Sequence, residues 1–221
     1  MGVQYLEAYA DNGLYTMQGR LCAPEGGRFQ SFPRNSWKKE IDLTPHVPLR
    51  GIEWIYDVYG EGANPIETSS GRDLLNETLA RAGVRVVSIC ADYFMDCPLA
   101  HPDPKTRLQR QAKLEWLIAL CPKLGIKRIV LPFVDASKIT DKSSADNVLE
   151  VLYSVLPKAE SSSVELHLET DLGPSQFRAF LKEIDNPIIK VNYDSGNSSS
   201  LGYKPAEEFA AYGERIGSFH I

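Results

Sequence analysis

The chain has 221 residues, 43% of them hydrophobic, which is enough to bury one substantial core and predicts a single domain over residues 1–221. The net charge of −5 and the dispersed basic residues provide no electrostatic footprint for a polyanion, so we expect no nucleic-acid partner. No membrane span, no signal peptide and only four scattered cysteines are visible, so we expect a soluble, cytoplasmic protein with reduced thiols.

Short runs rich in Val and Ile alternate with longer helical runs along the chain. The predicted strands are continuously apolar at their centres, as parallel strands covered on both faces are. They comprise residues 14–21, 51–58, 84–92, 128–134, 164–170, 188–194 and 216–221. The predicted helices comprise residues 36–45, 72–82, 104–124, 145–160, 175–184 and 205–215. In the clearest of them, Leu108, Ala112, Trp116 and Leu120 recur at i, i+4 spacing.

This regular alternation predicts right-handed crossovers and a parallel sheet. Neither GxGxxG nor GxxxxGK[ST] occurs, so the phosphate loop of a dinucleotide- or nucleotide-binding sheet is missing. Nearly every predicted strand instead ends on a polar or ionisable residue, as expected where the strand tips of a (β/α)₈ TIM barrel converge on one functional face. Because only seven strands are predicted, we expect an incomplete barrel that lacks the last helix, strand and helix.

Three of these tips end consecutive strands and carry metal-ligand side chains. They are Glu169 in LHLETDL, Asp194 in VNYDSGN and His220 in GSFHI. Two carboxylates and an imidazole suit Mn²⁺, Mg²⁺, Co²⁺ or Zn²⁺ and leave a position open for substrate or water. Each residue also has an ordinary explanation, since acids at strand ends are common caps and turn residues, and a terminal histidine is often a bystander. The residue pattern alone leaves both interpretations open.

Five segments spread over almost the whole chain carry a family resemblance: TMQGRL, RGIEWIYD, LHLETDLGPSQF, VNYDSGNSSSLGY and GERIGSFHI. In these segments the chain resembles the xylose-isomerase-like TIM barrels, and among them the sugar phosphate isomerases and epimerases. The resemblance implies a (β/α)₈ barrel in which Glu169, Asp194 and His220 bind one divalent ion, with Mn²⁺ as the first candidate. The family's fourth ligand, usually a Glu from the eighth strand, has no counterpart here.

The resemblance also implies a reaction. A divalent-metal-dependent isomerase or epimerase removes a proton next to the carbonyl of a sugar or sugar phosphate, and the metal stabilises the resulting enediolate as a Lewis acid. Glu169 is the candidate acid/base, but its usual partner comes from the missing strand, so this chain alone does not complete a two-base mechanism. In the ketose 3-epimerase branch a histidine commonly lies three residues after the metal Asp, and Asn197 stands there in this chain. The identity of the sugar is therefore not carried over.

Further residues are candidates for binding substrate. Glu53 lies within the second strand, His101 on the loop after the third, Asn197 after the sixth and Arg20 at the end of the first. Each also has a structural explanation, such as a turn for an acid or a solvated surface for a loop histidine. We further predict that His167 is a core histidine, and that the run NSSSLGY after Asp194 is a flexible loop.

Two alternatives remain open at this point. The first is a metal-dependent phosphodiesterase of the apurinic endonuclease type, which shares the barrel but gathers several zinc ions with more histidines than the four present here. The second is an inactive, truncated barrel, whose exposed strand edges would favour association into a homo-oligomer.

Overall fold

The computed structural model describes residues 13–23, 25–49 and 51–221, and these residues form two compact units. The first unit comprises the described residues of Met1–Cys90 together with Leu124–Ile126. The second unit comprises Ala91–Lys123 and Lys127–Ile221. Each unit is described by itself below, and a single domain over residues 1–221 stays a prediction.

The first unit is built on three parallel strands. In chain order its main elements are β1 Thr16–Met17, α1 Trp37–Leu43, β2 Gly51–Ile55, α2 Ser69–Ala82 and β3 Arg85–Cys90. Strand β2 pairs in parallel with both β1 and β3, and all five of its residues are buried. On one side Trp54 packs against the rings of Phe32 and Trp37, at centroid distances of 5.7 and 6.0 Å. Because β2 is covered in this way, it is rich in apolar residues, Ile52, Trp54 and Ile55, although it also buries Glu53.

The second unit contains four parallel strands, β4 to β7, paired in chain order. Its elements are α3 Tyr93–Asp96, α4 Pro104–Leu120, β4 Arg128–Phe133, α5 Lys142–Ser161, β5 Glu165–Thr170, α6 Pro174–Glu183, β6 Ile189–Asp194, α7 Ser195–Ser200, α8 Pro205–Tyr212 and β7 Ile216–His220. Helix α5 buries a continuous apolar stripe that includes Val148, Val151, Leu152 and Val155, at the i, i+3 and i+4 spacing of a helix that covers a sheet.

Helix ends follow the predicted signals. Gly83 has φ 64°, a left-handed conformation that glycine adopts without strain, and it ends α2. Pro104 and Pro205 both occupy the first turn of their helices. Asp103 caps α4, and its carboxylate accepts the backbone N–H of Thr106 at 2.9 Å.

Several sequence predictions are corrected. β1 has two residues rather than eight, and the predicted end of α4 is a 3₁₀ turn, Cys121–Leu124. The stripe predicted for α4 is displaced, because Leu108 is 61% exposed while Leu114, Leu117 and Ile118 are buried. Short 3₁₀ turns also occur at Glu25–Gly27, Thr44–His46, Pro65–Glu67, Asp135–Ser137 and Gly213–Arg215.

The fold prediction itself is confirmed. The described residues contain seven strands that alternate with helices and pair in parallel, as in a (β/α)₈ barrel of which seven strands are present. In this part of the chain, no helix combines the length and the apolar character that crossing a membrane would need.

Candidate metal centre

The three predicted ligands lie together at the carboxyl ends of β5, β6 and β7. Nδ1 of His220 lies 3.4 Å from Oε2 of Glu169 and 3.7 Å from Oδ2 of Asp194. One ligand atom from each residue lies within 4.8 Å of the other two, and all three side chains are half-buried. Parallel pairing explains this arrangement, since it brings the ends of neighbouring strands to one edge of the sheet.

The cluster brings its ligand atoms close to the spacing that one shared cation requires. Two ligands that each bind a small divalent ion at about 2.1 Å lie roughly 3.0 to 3.4 Å apart. The separations of 3.4 and 3.7 Å from Nδ1 of His220 lie at the edge of this range and just above it, and no two of the three ligand atoms are more than 4.8 Å apart. Carboxylate oxygens together with one imidazole nitrogen and no thiolate match the ligand preferences of Mn²⁺, Mg²⁺, Co²⁺ and Zn²⁺.

Asp194 has two roles. Its Oδ1 accepts the backbone N–H of Asn197 at 2.8 Å and so caps α7, while its Oδ2 faces His220. Burial raises the pKa of this carboxyl, but the His220 ring and the backbone N–H of Asn197 outweigh burial, so the pKa lies below its ordinary value. The carboxylate form required of a metal ligand is thereby favoured. The predicted flexible loop after Asp194 is wrong, because this cap starts helix α7 there.

A side chain that sequence analysis missed lies beside the ligands. Asn192 is buried, and its Nδ2 donates to Oε2 of Glu169 at 2.8 Å and lies 3.0 Å from Nδ1 of His220. Its position two residues before Asp194 places it on the same face of β6. The spacing of two residues from Asp194 is a signal that points to Asn192, but an asparagine in a strand does not by itself indicate a functional site.

A hydrogen-bonded chain continues from Asn192 toward the amino end of β5. Oδ1 of Asn192 accepts from Oγ of Ser218 at 2.6 Å, and Ser218 Oγ lies 2.7 Å from Nδ1 of His167. Nε2 of His167 lies 3.0 Å from Oε2 of Glu165. The hydrogen bond with His167 lowers the pKa of Glu165. His167 is fully buried, which confirms the predicted core histidine.

The buried carboxylate of Glu208 supports β6 and α7, the two elements on either side of Asp194. Glu208 of α8 accepts hydrogen bonds from Tyr193 at 3.0 Å, from Tyr212 at 2.8 Å and from Ser198. Burial is the largest cause that raises the pKa of the two tyrosines, and the Glu208 carboxylate adds to it. Because Tyr193 belongs to β6 and Ser198 to α7, Glu208 fastens both elements around Asp194.

The cavities do not by themselves identify a sugar site. A cavity of about 20 Å³, with room for about one water molecule, is bordered by Glu169, Asp194, Asn197 and Glu208. A larger one of about 250 Å³ is lined by residues of α6, α8 and the segments after them, such as Arg178 and Arg215, and includes none of the predicted site residues. The candidate metal centre is therefore identified by the chemistry of its ligand side chains and not by the size of a cavity.

The remaining candidates in the second unit are Asn197 and His101. Asn197 lies next to the cluster, where its Nδ2 donates to Oδ1 of Asp171 at 3.0 Å. His101 is half-buried on the loop before α4, where its Nδ1 accepts the backbone N–H of Asp103 at 3.2 Å and its carbonyl accepts from Arg107. Its contacts are local to that loop.

Two candidates belong to the first unit. Glu53 is buried in β2 and accepts the hydroxyl of Ser88 at 2.6 Å. Arg20 is exposed, donates to the carbonyl of Phe29 at 2.9 Å and stacks 4.5 Å above the Phe29 ring. A structural role is thus visible for both, and their part in substrate binding stays a prediction.

Two curated proteins that are similar to this chain are both named as epimerases. A provisionally named L-ribulose-5-phosphate 3-epimerase of Haemophilus influenzae is 24% identical over 200 residues, 87% of this chain and 70% of that protein. A 2-epi-5-epi-valiolone 7-phosphate 2-epimerase of an Actinoplanes strain is 25% identical over 167 residues, 75% of this chain and 60% of that protein. The chain thus spans 60 to 70% of the length of these two curated relatives.

Solved structures show the same fold. A xylose isomerase-like TIM barrel protein from Mycobacterium smegmatis, crystallised in complex with magnesium, has a TM-score of 0.72 and 18% identity over 94% of this chain and 74% of that chain. The family model for the xylose isomerase-like TIM barrel matches residues 48–221, which include all three clustered ligands. The resemblance inferred from the sequence is confirmed, and the chain belongs to the xylose isomerase-like TIM barrel family.

Proposed function

We propose that this chain is a divalent-metal-dependent isomerase or epimerase that acts on a sugar or sugar phosphate. The observation that carries the proposal is the cluster of Glu169, Asp194 and His220 at adjacent strand ends. Membership of the family and the two curated relatives, both named as epimerases of phosphorylated substrates, support the reaction class.

Glu169, Asp194 and His220 would hold the cation. When bound, a divalent cation would polarise the carbonyl group of the substrate and stabilise developing negative charge as a Lewis acid. Mn²⁺ is our first candidate, and Mg²⁺, Co²⁺ and Zn²⁺ share the same ligand preferences. The cofactor is thus one divalent ion per chain.

Glu169 has the geometry of a proton acceptor. Its Oε2 accepts from Asn192, and among the described residues no hydrogen bond occupies its Oε1. The side chain is 12% exposed, so it is largely but not completely enclosed. We assign to Glu169 the removal of the proton next to the carbonyl, a role that typically contributes about 10²- to 10⁴-fold to rate.

Asn197 is the best-supported candidate for contact with the substrate. Asn197 lies in the first turn of α7, three residues after Asp194, and its amide also contacts Asp171. Glu53, His101 and Arg20 remain proposed contacts. We also retain the proposals of a single domain over residues 1–221 and of a homo-oligomer.

The phosphodiesterase alternative is less well supported. Several zinc ions require more than three ligand side chains, whereas the part of the chain that the structure describes contains one group of three such residues. Of the four histidines, only His220 belongs to that group, and His167 is engaged by Ser218 and Glu165. The relatives named above also act on carbohydrate-type phosphates according to their names.

The proposal is tested by hydrogen exchange on the substrate. Metal-stripped protein is supplied with Mn²⁺ in D₂O, and a panel of pentuloses, hexuloses and their phosphates is followed by NMR. We expect deuterium to enter at the carbon next to the carbonyl of at least one sugar, with Mn²⁺ present and not with EDTA. Hydrolysis of bis(p-nitrophenyl) phosphate without exchange on any sugar would contradict the proposal and favour a phosphodiesterase.

A further inference from the structure

The chain of polar side chains beneath the metal ligands has no role in the reaction described above. It consists of His167, Ser218 and Asn192, and it is continuous from Glu165 to the ligands Glu169 and His220. His167 and Asn192 are 0% and 2% exposed. Polar groups buried this deeply cost free energy unless every partner is in place, so a network of this kind holds one arrangement of its members.

The directions of its hydrogen bonds follow from chemistry. A carboxylate only accepts, so the group of Asn192 that faces Glu169 must be its NH₂, and its carbonyl oxygen must face Ser218. Ser218 has a single hydroxyl hydrogen and donates it to that oxygen. Ser218 must then accept from Nδ1–H of His167. The orientation of the Asn192 amide is therefore fixed from both sides.

The fixed amide supports one ligand directly and lies against a second. Nδ2 of Asn192 donates to Oε2 of Glu169 at 2.8 Å and lies 3.0 Å from Nδ1 of His220. The hydrogen bond holds one carboxylate oxygen of Glu169 in place and leaves the remaining lone pairs of the carboxylate available to a cation. A partner that holds a ligating carboxylate in this way raises metal affinity.

An irregularity of β7 makes the network possible. Val191 pairs with Ile216 but Asn192 pairs with Ser218, so Gly217 is the extra residue of a bulge. Without this bulge, Asn192 would face Gly217 and Asp194 would face Phe219, because a slip of one residue exchanges the two faces of a strand. The bulged residue must also be glycine, since a Cβ on Gly217 would lie 2.6 Å from Cε1 of His167.

From these contacts we infer that Asn192 is a positioning residue for the metal ligand Glu169, and that Ser218 and His167 act by fixing the orientation of its amide. This inference rests on the proposed metal centre. It predicts that residues without any contact to the cation change affinity for it: Asn192→Ala should weaken Mn²⁺ binding about 10- to 100-fold, the effect typical of partners of metal ligands, and Ser218→Ala, which acts through Asn192, by at most that factor.

The test compares three serine variants of the metal-stripped protein. Mn²⁺ affinity is measured by electron paramagnetic resonance of the free ion, and folding by the circular dichroism melting curve without metal. We expect weakened binding in Ser218→Ala, recovery to within about threefold of the wild type in Ser218→Thr, which keeps the hydroxyl, and no change in Ser154→Ala, which removes an exposed hydroxyl bonded to the Glu150 carbonyl of α5. Asn192→Ala, which removes the donor to Glu169 directly, should weaken binding at least as much as Ser218→Ala.

The outcomes separate this inference from the proposed function. Wild-type affinity in both Ser218→Ala and Asn192→Ala would overturn the inference and leave the metal centre intact. Equal weakening in Ser218→Ala and Ser218→Thr would also overturn it, because a merely structural role depends on packing and not on the hydroxyl. A wild-type protein that binds no Mn²⁺ would instead remove the proposed centre and this inference with it.

Discussion

Replacing Asp194 by asparagine is expected to lower the affinity for Mn²⁺ by more than about 100-fold, because loss of a direct charged ligand costs more than the 10- to 100-fold typical of an indirect partner. Asparagine keeps an oxygen that can cap α7, as Oδ1 of Asp194 does through the N–H of Asn197. The melting temperature of the metal-free protein should therefore stay close to that of the wild type. Calorimetric titration with Mn²⁺ measures the affinity.

Two variants provide controls for this prediction. Asp146→Asn removes an exposed carboxylate that pairs with Lys142, and should bind Mn²⁺ as the wild type does. Asp194→Ala loses the cap as well as the ligand, which should cost about 1 kcal/mol of folding stability in addition. Retention of wild-type affinity in Asp194→Asn would show that this carboxylate is only a helix cap.

Replacing Glu169 by glutamine is expected to lower turnover by about 10²- to 10⁴-fold even at saturating Mn²⁺, because the amide cannot take a proton from carbon. Saturating metal separates the role as base from the role as ligand. The measurement is the rate of deuterium entry into the sugar substrate identified with the wild type. Glu77→Gln, which alters an exposed carboxylate of α2 outside the hydrogen-bonded chain, serves as a comparison that leaves Glu169 unchanged.

Two results would separate the possible roles of Glu169. Full loss of exchange in Glu169→Gln with nearly normal Mn²⁺ affinity would identify it as a base alone. Exchange within tenfold of the wild type at saturating metal would contradict its assignment as the base and direct attention to another group near the cluster.

Features of this structure that are set within a single strand or helix were predictable from the sequence. The apolar runs of β2 and β4 to β6, the first-turn prolines of α4 and α8 and the glycine that ends α2 all follow from local patterns. Glu169, Asp194 and His220 were predictable as neighbours because consecutive parallel strands end at one edge.

The parts that depend on register between strands were not predictable. Asn192 and Ser218 face each other because of the bulge at Gly217. Such a one-residue irregularity leaves no distinctive signal in the sequence. The polar sequence SGNSSS of α7 predicts a loop because it has weak helical propensity, which the cap from Asp194 and the contact of Ser198 with Glu208 overcome. Leu108 suggested the wrong face of α4 because a single apolar residue can extend a helical pattern without being buried.

The central claim is that one divalent cation is shared by the carboxylates of Glu169 and Asp194 and the imidazole of His220. The most direct test is an anomalous difference map from a crystal equilibrated with Mn²⁺. We predict one strong peak about 2.0 to 2.3 Å from an oxygen of each carboxylate and from Nδ1 of His220. A map with no peak among these three side chains at saturating Mn²⁺ would contradict the account.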